Sequence, residues 1–316
     1  MSRGAVVLAA VLALIAPATA AASSKPGVSV SAPSNITPDS VLINAKIDAN
    51  NAETTYFVRF GLTTLYGLET PHVSAGSGGA PKAVTIALTG LSPDTRYHYR
   101  VIAVNTHGVD RSADRSFKTL KQPLGVTLTA TPNPIAPGAG TQLTGQLTGT
   151  NNANRDVVLQ ANPWPYAGFA DIGNKIVTDS AGNFTFAVLS VPFNTQFRVA
   201  LAQRPEVVSP VIVVSASMTV QTDVKTVARF AHSKKVRFKG RVSPEPEDPS
   251  LAVQKLRAGV WTTIATAGRW TESAAGLTFS KTVRIGKSGT FRIVATDTSG
   301  KYAVGAGRTV SIKAPR

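Results

Sequence analysis

Only 16% of the 316 residues are charged, yet 33 Lys and Arg face 17 Asp and Glu for a net charge of +16. A 43% hydrophobic content excludes wholesale disorder, and the lopsided charge favours anionic partners. The absence of cysteine excludes disulfides, thiol nucleophiles and Cys-zinc sites, while the length calls for two or three domains.

The chain opens with Arg3, an unbroken apolar run from Ala5 to Ala16, then Pro17 and the small-x-small pattern Ala18-Thr19-Ala20. This is the pattern of a cleaved secretory signal over residues 1–22. The run is short for a membrane span, which needs about 20 apolar residues, and no later stretch is apolar enough to span. A secreted or extracellular location is therefore expected.

From residue 25 onward, runs rich in Val, Ile, Thr, Phe and Tyr recur between Gly, Pro, Asn, Asp and Ser signals, with no amphipathic helix. The predicted fold class is all-β: three tandem antiparallel β-sandwich, immunoglobulin-like domains at 25–120, 124–215 and 217–314.

In the first domain, Val41, Ile43, Ala45 and Ile47 alternate with polar or outward positions, as do Tyr56, Val58 and Phe60. A Pro93-Asp94 turn feeds a long strand whose inward row is Tyr97, Tyr99, Val101 and Ala103. Tyr97 is placed to form a tyrosine corner, its hydroxyl bonded to upstream backbone. The Leu91-x-Pro93-x-Thr95-x-Tyr97 opening, the Tyr56-to-Gly61 strand followed by Tyr66-Gly67, and the closing Phe117-Lys118-Thr119 together resemble a bacterial fibronectin type III domain, over about a third of the chain. The chain departs from animal members in lacking the early-strand Trp. It also has no Arg-Gly-Asp tripeptide in the Thr106–Arg111 loop, so integrin binding is not implied.

Lys121-Gln122-Pro123-Leu124-Gly125 reads as a short linker. The two remaining domains echo each other at an offset of about 94 residues: Thr141–Leu147 with Val236–Val242, Val158-Leu159-Gln160 with Ala252-Val253-Gln254, and Phe197-Arg198 with Phe291-Arg292. They read as a tandem duplication and resemble the immunoglobulin-like domains of bacterial extracellular proteins.

No nucleophile–base pair, paired carboxylates, phosphate loop or metal-ligand spacing emerges around His72, His98, His107 and His232. No catalytic residue, metal or cofactor is expected, and the protein reads as a non-enzyme. Asp179-Ser180-Ala181-Gly182-Asn183 reads as a hairpin turn rather than a calcium loop. His98, between Arg96 and Arg100, reads as solvated or stacked.

Two surfaces remain as binding candidates. Pro163-Trp164-Pro165-Tyr166 offers Trp164 and Tyr166 as a stacking platform for carbohydrate. The stronger asymmetry is charge. Residues 25–121 hold ten basic and seven acidic residues, residues 122–215 four of each, and residues 216–316 eighteen against six. Lys235, Arg237, Lys239 and Arg241 alternate with Val236, Phe238, Gly240 and Val242, which on a strand lines up four outward cations about 6.6 Å apart. Arg284 on the neighbouring strand extends the row. Such a stripe suits a linear polyanion, and the plainer role for these residues is solvation and protection of a strand edge.

The expectation is thus a secreted, non-enzymatic binding or spacer protein associated with the cell envelope. Its basic third domain would contact an anionic envelope polymer or polysaccharide, with an extracellular protein as a further partner. A secreted carbohydrate-binding accessory protein using Trp164 and Tyr166 is the alternative.

Overall fold

The computed structural model describes residues 22–224, 227–229, 235–266, 269–271 and 277–313. All but the last residue of the expected signal segment lies outside them. Every regular element among the described residues is a β-strand, so the chain is all-β, and its sheets are antiparallel but for a short parallel pairing of Val227–Arg229 with Val310–Lys313.

Three separate hydrophobic cores form in chain order, yet the chain divides into two compact units, residues 1–122 and 123–316. The break falls inside the expected linker. The second and third cores fall within one unit, and Trp164 and Asn194 form hydrogen bonds between them.

In the first unit, Ser40–Asp48 lies between Gly27–Val30 and Lys82–Thr89 in one sheet, and Thr54–Gly61 pairs with Arg96–Asn105 at the centre of the other. The period-two pattern explains the packing: Val41, Ile43, Ala45 and Ile47 from the first sheet meet Tyr56, Val58, Phe60, Tyr97, Tyr99, Val101 and Ala103 from the second. The Tyr97 hydroxyl accepts the Ser92 amide at 2.9 Å, the expected tyrosine corner. One strand buries both faces: Phe57, on the side opposite Tyr56, is covered by the His72 ring stacked at 3.9 Å.

The second unit repeats one plan twice. Around the second core, Thr141–Thr148 pairs with Asn183–Val188, and Asp156–Pro163 pairs with Thr195–Leu201. Around the third, Lys235–Ser243 pairs with Leu277–Arg284, and Pro249–Arg257 pairs with Gly289–Asp297. The correspondence extends to single atoms. Arg198 Nε donates to Gln160 Oε1 at 2.7 Å and its guanidinium sits 4.2 Å from the Phe169 ring centroid. Arg292 Nε donates to Gln254 Oε1 at 2.8 Å beneath Trp261, at 4.4 Å. A Cβ on Gly145 would lie 2.1 Å from the Thr127 carbonyl and 2.5 Å from Phe184, and one on Gly240 1.9 Å from the Gln221 carbonyl and 2.7 Å from Phe279. The same glycine is required at the same place in both repeats.

The Asp179–Asn183 turn is not a hairpin. Ala170–Val177 belongs to the sheet of Asp156–Pro163, and Asn183–Val188 to the sheet of Thr141–Thr148, so the turn carries the chain across the sandwich. Asp179 Oδ1 accepts the amides of Ala181 and Asn183, both at 2.8 Å. These amides hold its carboxyl below the usual carboxylate range, the contact with Asn183 foremost.

Candidate functional site

The basic strand forms as its sequence periodicity dictates. Along Lys235–Ser243, Lys235, Arg237, Lys239 and Arg241 are exposed, while Val236, Phe238 and Val242 are buried. Phe238 is fully enclosed and meets Phe291 of the facing sheet at 6.3 Å. This anchor fixes the register, and a one-residue slip would turn all four cations inward.

The register places Lys235 opposite Arg284, Arg237 opposite Thr282, Lys239 opposite Ser280 and Arg241 opposite Thr278. The outer face is thus a cationic row flanked by hydroxyls, and Arg284 lies beside its N-terminal end. Arg237 Nε donates to Ser280 Oγ at 2.6 Å, which steadies one guanidinium against the sheet. On the other side, Gln221 pairs with Arg241. Among the described residues, no carboxylate forms an ion pair with Arg237, Lys239, Arg241 or Arg284. Asp223 approaches only through its backbone, its amide bonding the Lys239 carbonyl at 3.0 Å.

Edge protection accounts for part of this charge and not all of it. Gly240, Arg241 and Val242 are flanked on both sides, by Thr219–Thr222 and by Leu277–Arg284, so Arg241 sits on an interior stretch where no open edge needs shielding.

Trp164 is half-buried at the junction between the second and third cores. Its indole N–H donates to the Ser299 carbonyl at 3.1 Å, and the Lys301 ammonium lies 5.1 Å from its ring. Asn194 completes the junction. Its side chain donates to the Gly300 carbonyl and accepts the Ala216 amide, each at 2.9 Å, while its own amide donates to the Lys301 carbonyl at 2.9 Å. Asp297 shapes the receiving turn by accepting the Ser299 hydroxyl at 2.8 Å. Trp164 therefore joins the repeats, and Tyr166, 37% exposed, is the aromatic of that loop left at the surface. Nothing in the loop sequence announces this, because its partners lie 135 residues downstream.

His98 is neither free nor stacked. Its Nδ1 is 2.9 Å from Asp114 Oδ2, and Asp114 Oδ1 accepts the Tyr66 hydroxyl at 2.9 Å. The His98 contact, then the Tyr66 hydroxyl, hold the Asp114 carboxyl below the ordinary range against the opposing effect of burial. The Arg100 guanidinium covers the Tyr66 ring at 5.2 Å. The cluster ties the strand Arg96–Asn105 to the loops that carry Tyr66 and Asp114. No cluster of three or more metal-ligating side chains occurs among the described residues, and no helix among them is long and apolar enough to cross a membrane.

A third feature escaped the sequence reading. Where the two sheets of the third core separate at one end, a cavity of about 600 Å³ opens, lined by Lys255, Arg257, Arg284 and Lys287 above Ile264, Ile285 and Phe291. Its cations come from a strand end, from the stripe's neighbour and from a turn, and only the fold brings them together.

These observations define a class: an all-β protein of tandem antiparallel sandwiches with a basic C-terminal repeat. No family model and no curated protein matches the chain. Among solved structures it is similar to the FN1-FN3 domains of chicken CNTN1, at 14% identity over 92% of this chain and 98% of that one, with a TM-score of 0.29. It is also similar to the sensor domain of the anti-sigma factor RsgI4 of Pseudobacteroides cellulosolvens, at 18% identity over 30% of this chain and 89% of that one, with a TM-score of 0.22.

Proposed function

We propose that the chain is a secreted, non-enzymatic binding and spacer protein of the cell exterior, and that its third domain docks on a linear anionic envelope polymer along Lys235, Arg237, Lys239 and Arg241, with Arg284 beside them. One observation carries this reading: four cations stand in register on the outer face of one strand, and the strands flanking them bring no acidic residue to that face. Their spacing, about 6.6 Å, matches a repeating polyanion better than a single small anion. The first and second domains, which together hold 14 basic and 11 acidic residues over residues 25–215, then serve to hold the docking face at a distance or to engage other partners.

Carbohydrate stacking at Trp164 and Tyr166 is the less favoured reading, because the Trp164 indole is already engaged by Ser299 and Lys301. Long-chain polyphosphate immobilised on beads separates the two. The full chain is retained at low salt, and a variant with Lys235, Arg237, Lys239 and Arg241 all changed to Ser is not. Retention of that variant on polyphosphate would overturn the docking face. Salt-insensitive retention on a neutral polysaccharide, lost in Tyr166→Ala, would instead favour stacking.

A further inference from the structure

The cavity at the end of the third core is a separate feature from the stripe. We infer that it is a binding site for a small organic phosphate: a phosphate monoester carried on an apolar body. The cavity of about 600 Å³ lies within the roughly 300–1,000 Å³ range of small-molecule sites. Its rim carries Lys255, Arg257, Arg284 and Lys287 with no carboxylate among the described lining residues, while half-buried Ile264 lies at its surface over the buried Ile285 and Phe291.

The rim lysine is built into place. Lys255 Nζ donates to the Lys287 carbonyl at 3.0 Å and lies 5.4 Å from the Phe291 ring. Its stem passes over Gly289, where a Cβ would come within 2.5 Å of Lys255 Cε, so glycine there leaves room for the ammonium. One of its three N–H donors is used on Lys287, and two remain for a ligand. Arg257 and Arg284 add planar guanidinium forks, which match the oxygens of phosphate in pairs.

The charge of the repeat is polarised along its length. The register sets Pro249 opposite Asp297 at one end and Lys255 opposite Phe291 at the other, about 20 Å away. Glu245, Glu247, Asp248 and Asp297 cluster toward the first end; the cavity is at the second. Four cations without an acid call for more than one negative charge. A phosphate monoester brings roughly −1.5 to −2 and three acceptor oxygens. Inorganic phosphate would satisfy the cations and leave half-buried Ile264 and the aliphatic stems of Lys255 and Arg257 in water, so an apolar body is part of the assignment.

This inference does not depend on the stripe, although Arg284 borders both. Calorimetric titration of the full chain with monomeric octyl phosphate, inorganic phosphate and octyl glucoside tests it. Octyl phosphate is expected to bind at least tenfold more tightly than either of the other two. Arg257→Ser with Lys287→Ser is expected to weaken octyl phosphate at least tenfold, with the circular dichroism spectrum of the folded chain retained. Arg237→Ser, Lys239→Ser and Arg241→Ser together leave it unchanged while abolishing polyphosphate retention. Three results would overturn the site: no octyl phosphate binding, equal affinity for inorganic phosphate, or a cavity variant that binds as wild type. Failure of polyphosphate to bind would count against the stripe alone.

Discussion

At the scale of single residues, the first unit rests on two contacts of different legibility. Tyr97 follows a Pro-Asp turn and bonds an amide five residues upstream, so its role is local and readable in the sequence. Tyr97→Phe should lower the stability of the first unit by about 1 kcal/mol in urea titration. Asp114 was opaque, because its partners His98 and Tyr66 lie 16 and 48 residues away and only the folded arrangement of loops and strand brings them to it. Its carboxyl is held below the ordinary range. The stability it contributes is therefore present above the unfolded value of about 3.9 and is lost as pH falls through the lower folded value. Asp114→Asn should reduce stability near neutral pH and flatten the acid limb of the stability curve. An unchanged acid limb in that variant would show that other carboxylates govern it.

At the scale of elements, the strand Lys235–Ser243 shows why the stripe was legible and the cavity was not. Alternation with period two is a property of one strand, and it was enough to predict which side chains of that strand face outward. Removing the anchor that sets this alternation, Phe238→Ala, should cost about 3–5 kcal/mol, measured by denaturant unfolding of the second unit. Gly240→Ala should also destabilise the unit, by about 1–3 kcal/mol, because the Gln221 carbonyl and the Phe279 ring occupy the space a Cβ needs. Gly145→Ala should do the same in the repeat around the second core. The cavity cations Lys255, Arg257 and Lys287 carry no pattern of their own, since they come from a strand end and a turn about 30 residues apart. The Asp179 turn was misjudged for a related reason: a tight turn looks the same whether its strands pair with each other or cross between sheets.

At the scale of the whole molecule, the duplication was readable from the offset of about 94 residues, but the joining of the two repeats into one unit was not. That junction depends on Trp164 and Asn194 meeting the Ser299–Lys301 turn across more than 100 residues of sequence. Residues 123–316 should therefore unfold as one cooperative unit in calorimetry. Asn194→Ala, which leaves the Ala216 amide and the Gly300 carbonyl without their partner, should cost about 1–3 kcal/mol and split that transition in two. A single transition at unchanged temperature would show that the repeats are not coupled through Asn194.

The docking face is tested most directly by the salt dependence of binding between the full chain and long-chain polyphosphate, measured by fluorescence anisotropy from low to physiological ionic strength. Engagement of Lys235, Arg237, Lys239, Arg241 and Arg284 predicts a log–log slope of about −3.5, taking roughly 0.7 per phosphate contact. Changing the first four to Ser should bring the slope to about −0.7. Parallel slopes for wild type and variant would mean that the cations of this strand do not carry the interaction, and the basic face would then be a solvated surface.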